Sequence, residues 1–233
     1  MIRRLALVCA LLLAACNDTG RAYVDIPLHA VGGADRFDTA DGWSVTLTRA
    51  ELALGPIWLC ATESASPEFC DASVLELTDS VTIDALDPET QQLATMRGVT
   101  GTARSVMFDY GISWLPTASR ARPTTGAIDG HSARFEARAT HTDGRSFELA
   151  CDLDLLPPMQ GAVVIRGQRI EPREIVSSDD ALLVRVDATR WLSRLDYERL
   201  ASRGEARVVL APGEADYEAL VVALTAGALP SFE

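Results

Sequence analysis

The alternation of apolar and polar positions is clearest between His131 and Leu155. Ala133, Phe135, Ala137 and Ala139 alternate with Arg134, Glu136 and Arg138. After Asp143-Gly144, Phe147, Leu149, Cys151, Leu153 and Leu155 hold one parity, and Glu148, Asp152 and Asp154 hold the other. Period-two alternation belongs to a strand with one buried and one wet face. Asp-Gly between two such runs is hairpin-turn chemistry. The pattern predicts an antiparallel pair with a charged face and a core face, with Cys151 in the middle of the apolar stripe.

Shorter runs of the same kind fill most of the chain. "AYVDIPL" reads as a first strand and "GGADRFDTADG" as the turn after it. In "WSVTLTRAELALGPIWLC", Trp43, Val45 and Leu47 share one parity, while Leu52 and Leu54 share the other. A change of face inside one run predicts a bulge near Arg49–Glu51, or two strands meeting at a kink. Gly55-Pro56 marks another bend. "SVLELTDSVTIDAL" gives two short strands around Asp79-Ser80. "PETQQLATMRGV" has helix-forming residues but weak periodicity, and reads as a turn or one helical turn. "GTARSVMFDYGISW" is a strand with Val106, Phe108 and Tyr110 on one face and Ser105, Met107 and Asp109 on the other. Tyr110, Trp58 and Trp114 follow apolar patterns and are assigned to the core. "LPTASRARPTTGAIDG" is a loop, and "GAVVIRGQRI", "DALLVRVDA" and "EARVVLAP" are further strands.

The period lengthens after Asp187, which fits a helix N-cap. Trp191, Leu192, Leu195 and Leu200 then lie near one helical face, Trp191 is the docking anchor, and Gly204 suits the stop. "EADYEALVVALTAG" is a second helix ending near Gly227, before a frayed tail. Many short strands with helices only at the end predict a mainly β fold. The expected architecture is an antiparallel β-sandwich with one or two C-terminal helices that cap an end or cover a sheet edge.

The first residues stand outside that body. Behind Arg3 and Arg4, Leu5 to Ala15 is an unbroken apolar run, much shorter than the ~20 residues a helix needs to cross a bilayer. It is therefore an export signal. Leu13-Ala14-Ala15-Cys16 resembles the lipobox of bacterial lipoproteins. That resemblance implies cleavage before Cys16, a diacylglyceryl thioether on its sulfur, and acylation of the new amine. Only a thiol forms the thioether, and two or three acyl chains anchor durably where one does not. The expected organisation is a signal peptide over residues 1–15, a lipidated tether over 16–22, and a single sandwich domain with its helices over 23–233. The protein is then lipid-anchored in the cell envelope through Cys16, with the membrane and the facing side left open.

Composition narrows the choices. The chain has 233 residues, 48% of them hydrophobic, enough for a substantial core. All 21 basic residues are arginines, which removes Schiff-base lysine chemistry. The net charge of −12 becomes −14 once Arg3 and Arg4 leave with the signal. Such a body repels phosphate backbones and anionic head groups, which excludes nucleic acid as a partner. Cys60, Cys70 and Cys151 remain after the anchor and Cys9 are set aside. Cys60 and Cys70 flank the polar, proline-containing "ATESASPEF", and an exported compartment favours a bridge between them. It would close a ring of about ten residues, worth roughly 2–3 kcal/mol. Cys151 is then a buried, unpaired thiol packing as a small hydrophobe.

Candidate chemistry is sparse. The chain has no Gly-x-Ser-x-Gly, no His-Glu-x-x-His, no phosphate-binding glycine loop and no Cys-x-x-Cys. Asp35, Asp38 and Asp41 precede Gly42 at intervals of three, whereas an EF-hand loop wants carboxylates two apart. Turn aspartates are the simpler reading, and a loose calcium site is the other. The histidines are His29, His131 and His141. His131 and His141 sit at the two ends of one predicted strand, roughly 30 Å apart, so they cannot share an ion. His29 could join either, with Met96, Met107 or Met159, in a transition-metal site. Rim or turn histidines are the favoured reading, with no metal and no cofactor assigned.

Four segments in order, "WSVTLTRAELALGPIWLC", "GVTGTARSVMFDYGIS", "GHSARFEARATHTDGRSFELAC" and "VRVDATRWL", resemble the copper-associated periplasmic proteins encoded near methanobactin genes (the MbnP type) and their lipoprotein relatives. The resemblance implies a sandwich fold and metal handling. Ala103 or Arg104 stands where that family carries a tyrosine, and Cys151 where it carries a histidine. The chain also resembles uncharacterised envelope lipoproteins of GC-rich bacteria. Three functions follow. A non-catalytic binding or structural module, presenting loops to an envelope protein, a glycan or a small ligand, needs no special residues and is favoured. Copper handling in the periplasm is the alternative. An envelope hydrolase is the third, and would need carboxylates converging in a cleft.

Overall fold

Most strands form because one face is apolar, and they pair into sheets whose apolar faces share one core. A computed structural model describes residues 20–63, 70 and 73–233. The predicted signal peptide and Cys16 lie outside the described residues. The strands are β1 (Tyr23–Val31), β2 (Arg36–Asp38), β3 (Trp43–Leu54), β4 (Ile57–Cys60), β5 (Ser73–Leu77) and β6 (Val81–Asp84). Then come β7 (Gln91–Val99), β8 (Gly101–Phe108), β9 (Ile112–Ser113), β10 (Arg122–Pro123), β11 (Ala133–His141) and β12 (Ser146–Leu153). The chain closes with β13 (Ile165–Ile175), β14 (Leu182–Arg185), helices α1 (Ala188–Leu192) and α2 (Tyr197–Ala201), β15 (Arg207–Leu210), α3 (Ala215–Val222) and β16 (Ser231–Phe232).

One sheet runs β13-β8-β4-β5-β7-β1-β14-β16, a second runs β15-β12-β11-β3-β2 with β6 also on β3, and β9 and β10 pair as a small third sheet. The pairing is antiparallel except for β1 with β14 and β12 with β15. This is a mainly β, sandwich-like fold with short C-terminal helices, as the pattern predicts. The main core runs from Val24 and Ile26 through Trp43, Phe135 and Trp191 to Phe232. Each large side chain sealed there contributes about 1.5–3 kcal/mol.

The predicted β11–β12 hairpin is formed, with Phe135 opposite Cys151 and Arg134 opposite Asp152; its loop is Thr142-Asp143-Gly144, one residue longer than the Asp-Gly pair alone. Its wet face is paired across the strands: Arg134 meets Asp152 at 2.5 Å and Asp129 at 2.6 Å. The bulge in β3 is at Thr48, because Leu47 faces Ala137 while Arg49 faces Glu136. The predicted stretch begins one residue later. Past Thr48 the buried parity changes to Ala50, Leu52 and Leu54.

Several expectations are corrected. "QQLATMRGV" is strand β7, not a turn. Only Met96 is buried along it, so side-chain periodicity is weak, and pairing with β1 from Tyr23 to Ala30 makes it a strand. Within the predicted turn after β1, Arg36–Asp38 pairs with β3, and Phe37 packs edge-on to Tyr197. The single helix after Asp187 is two one-turn helices. Asp187 caps the first through the Thr189 N–H, as expected, but Asp196 caps a second through the Arg199 N–H. The break lets Tyr197 turn onto Trp43 and Phe147. The tail is not frayed: Phe232 packs on Phe108, and Ser231–Phe232 pairs with β14. Helix α3 continues as a π-helical turn, Ala223–Gly227; Trp191 donates to the Ala228 carbonyl at 2.6 Å and Tyr110 to the Leu224 carbonyl at 2.7 Å, which fixes that turn on the core.

Candidate functional site

The predicted disulfide between Cys60 and Cys70 is formed, with Cα atoms 5.5 Å apart. It lies on the outer side of the first sheet, where Cys60, Met107 and Val163 are buried together, with Trp58 and Cys70 against them. The sequence pattern treats β8 as one-sided. Both of its faces are covered, since Ser105, Met107 and Asp109 are as buried as Val106 and Phe108. Cys151 is unpaired and buried in the core stripe. Burial, with the nearby charges of Asp152, Asp154 and Glu214, pushes its thiol up to about 12, so it is not a nucleophile at neutral pH.

The histidines stand singly. His131 Nδ1 is 2.8 Å from Asp154. His141 lies 2.8 Å from Asp143, and its Nε2 is 2.9 Å from the Asp41 carbonyl oxygen. The hydrogen bond to Asp143 raises the His141 pKa. His29 sits on β1 in register with Gln92 and Leu183. Asp38 belongs to β2, and the Asp35 and Asp41 carbonyls accept from Leu47 and His141. Among the described residues, no three His, Cys, Asp or Glu side chains gather as a metal-ligand set.

A network at the end of the hairpin is structural. Arg145 grips both oxygens of Glu198 at 2.8 and 2.9 Å and lies 5.2 Å over the Trp43 ring. Trp43 Nε1 donates to the same carboxylate at 3.2 Å. These contacts tie the hairpin turn to α2.

The arrangement that invites a ligand lies where β4 and β8 end. Pro56, Trp58, Thr78, Asp109, Ser113, Trp114, Leu115, Ala162 and Val163 line a cleft of about 190 Å³. Pairing sets Trp58 opposite Met107, two residues before Asp109. The turns that follow are locked through the backbone. Gly55 N–H donates to the Asp109 carbonyl at 2.8 Å, Asp109 N–H to Pro56 at 3.1 Å, and Gly111 N–H to Gly55 at 3.0 Å. Gly111 has φ +71°, and a Cβ there would come 2.4 Å from the Ala53 Cβ. That position therefore needs glycine on both conformational and steric grounds.

Asp109 forms the floor and is 2% exposed. One carboxylate oxygen accepts from the Ser113 hydroxyl at 2.7 Å and the other from the Val164 N–H at 2.8 Å. Burial pushes its pKa up to about 6, although both hydrogen bonds pull it down. Trp114 Nε1 donates to the Ala118 carbonyl at 3.1 Å, and Gln160 bridges Pro116 and Ala118 at 2.7 and 2.9 Å. Two loops thus hold each other around the mouth, presenting Leu115 and Met159, which are 58% and 59% exposed.

Chemically, this cleft can hold a molecule. Ser113 donates to Asp109 and has no histidine beside it, and among the described residues the lining holds one carboxylate, where acid–base work needs a matched pair. Sequence reading missed the cleft because it assigned Trp58 and Trp114 to the core, whereas both are half-buried. The available signal was Asp109, an acid on the same strand face as Met107. No protein-family model, curated protein or solved structure matches this chain.

Proposed function

We propose that this chain is a non-catalytic binding protein of the bacterial cell envelope. Lipid on Cys16 holds it to the membrane, and the Trp58–Trp114 cleft receives a small ligand. The observation that carries the reading is an apolar cleft, walled by two tryptophans and rimmed by exposed apolar residues, whose one ionisable group has no catalytic companion. Such convergence of apolar walls with a single placed polar group is the usual make-up of a ligand site. The tether supports the same reading. It would join the body at β1, and β5 and β7 separate that strand from β4 and β8, where the cleft is built. At about 4.8 Å per strand this is roughly 15–20 Å across the sheet, so lipid and ligand do not compete for one surface.

Copper handling, as the MbnP-type resemblance implies, would draw on histidines that stand on separate elements, two of them engaged by aspartates. A hydrolase would draw on paired carboxylates that the cleft does not offer. The experiment for the envelope reading is metabolic labelling with palmitate followed by fractionation. The wild-type chain should carry label in the membrane fraction, and Cys16→Ser should accumulate as unlabelled precursor. Normal processing and labelling of Cys16→Ser would overturn the anchor. Stoichiometric copper retained after desalting, and lost in His131→Ala or His141→Ala, would replace the binding-module reading with the metal one.

A further inference from the structure

We propose that the cleft binds a small organic cation, a protonated or quaternary amine carrying an apolar group, with Asp109 as its counter-charge. The inference rests on the binding-protein reading and names its ligand class.

Asp109 is 2% exposed, and the two groups that bond it, the Ser113 hydroxyl and the Val164 N–H, are both neutral. No arginine or histidine forms an ion pair with it among the described residues. A carboxylate withdrawn from water without an opposite charge is costly, and a cation placed beside it removes that cost. Indole rings are the best side-chain partners for a cation, and Trp58 and Trp114 both line this cleft. A volume of about 190 Å³ admits a head group of amine or trimethylammonium size, not a sugar chain or a folded segment. The exposed Leu115 beside it and Met159, whose carbonyl accepts from the lining residue Ala162 at 3.1 Å, offer a surface for an apolar substituent outside the floor. An anion is disfavoured by Asp109 itself and by the net charge of −12. A neutral apolar molecule would fill the walls and leave the carboxylate without an opposite charge.

The test is calorimetric titration of the full chain with phenyltrimethylammonium and with tert-butylbenzene, its uncharged isostere. The cation should bind saturably at one site, at least tenfold more tightly than the isostere. Asp109→Asn keeps the shape and can keep both hydrogen bonds. It should weaken the cation at least tenfold and leave the isostere unchanged. Leu115→Arg changes only the exposed rim, so it cannot fail through the core. It should also weaken the cation severalfold by placing like charge at the mouth. Equal affinity for both molecules, or cation binding indifferent to Asp109→Asn and Leu115→Arg, would overturn the inference while leaving a binding cleft. Absence of saturable binding by either probe would overturn it as well. The envelope reading would then stand or fall separately on the palmitate experiment.

Discussion

Among the described residues, two aspartates lie almost completely out of water, and their surroundings differ. Asp216 is 1% exposed, and Arg199 reaches it with two nitrogens at 2.7 and 3.1 Å, joined by the Asp196 N–H at 3.2 Å. Asp109 is 2% exposed and meets only neutral donors. The first is a finished structural joint: it ties α3 to the start of α2, and its charge is answered from within the chain. The second sits at the floor of an open cleft with its charge unanswered. Proteins rarely bury a carboxylate without a cation unless the site has another use for it. The contrast between the two residues is the main reason for reading the Asp109 end as the functional one.

That contrast can be broken by mutation. The largest effect is expected from Arg199→Ala, which leaves Asp216 buried with the Asp196 N–H as its remaining partner. The loss stays below the full cost of breaking a buried pair because Arg199 is itself half-exposed. Urea unfolding at neutral pH measures it as a lowered midpoint, and an unchanged midpoint would mean the Asp216 joint matters little.

Asp109→Asn should act in the opposite direction at neutral pH. The folded pKa of about 6 lies above the ordinary carboxylate value of 3.8, so the unfolded chain releases this proton first. The group's contribution to stability is therefore full below about pH 4 and is lost as pH rises through about 6. Removing the charge should leave stability unchanged at pH 4. At pH 8 it should raise stability by up to about 3 kcal/mol, taking 1.4 kcal/mol per pKa unit. Denaturation of both proteins at the two pH values checks the sign, and a variant less stable at pH 8 than at pH 4, relative to wild type, would contradict it.

A smaller effect separates rim from floor. Leu115→Ser should change stability by less than about 0.5 kcal/mol, since the side chain is mostly exposed, yet it should lower affinity for phenyltrimethylammonium. Thermal melting and titration together test that split. Finally, blocking thiols in the unfolded, non-reduced chain should label Cys151 but neither Cys60 nor Cys70, because those two are bridged. Mass spectrometry showing Cys60 and Cys70 blocked would mean that the bridge does not form in the cell.

How much of this was legible in the sequence depended on how each strand meets water. The β11–β12 hairpin has one wet face, so its alternation gave the two faces of each strand, along with the position of Cys151. Strand β8 is covered on both sides, and Ser105 within it and Asp109 just past its end look like solvent-facing residues in an alternation that has no solvent face. Strand β7 is held by its neighbours' backbones and carries almost no pattern of its own. The break at Ser193–Asp196 was hidden because both halves of "ATRWLSRLDYERLASRG" keep their apolar residues near one helical face. The cleft was the least legible part. Trp58, Asp109 and Trp114 meet only because β4 pairs with β8 and the chain then turns at Gly111, and neither contact is local in sequence.

The central claim is that Asp109 is a buried carboxylate without an opposite charge, awaiting a cation. Carbon-13 NMR titration of the Asp109 carboxyl, with and without phenyltrimethylammonium, tests it most directly. The account predicts a midpoint of about 6 in the free protein, falling by a unit or more when the cation is present. A midpoint near the ordinary carboxylate value of 3.8, or one that the cation does not move, would contradict it.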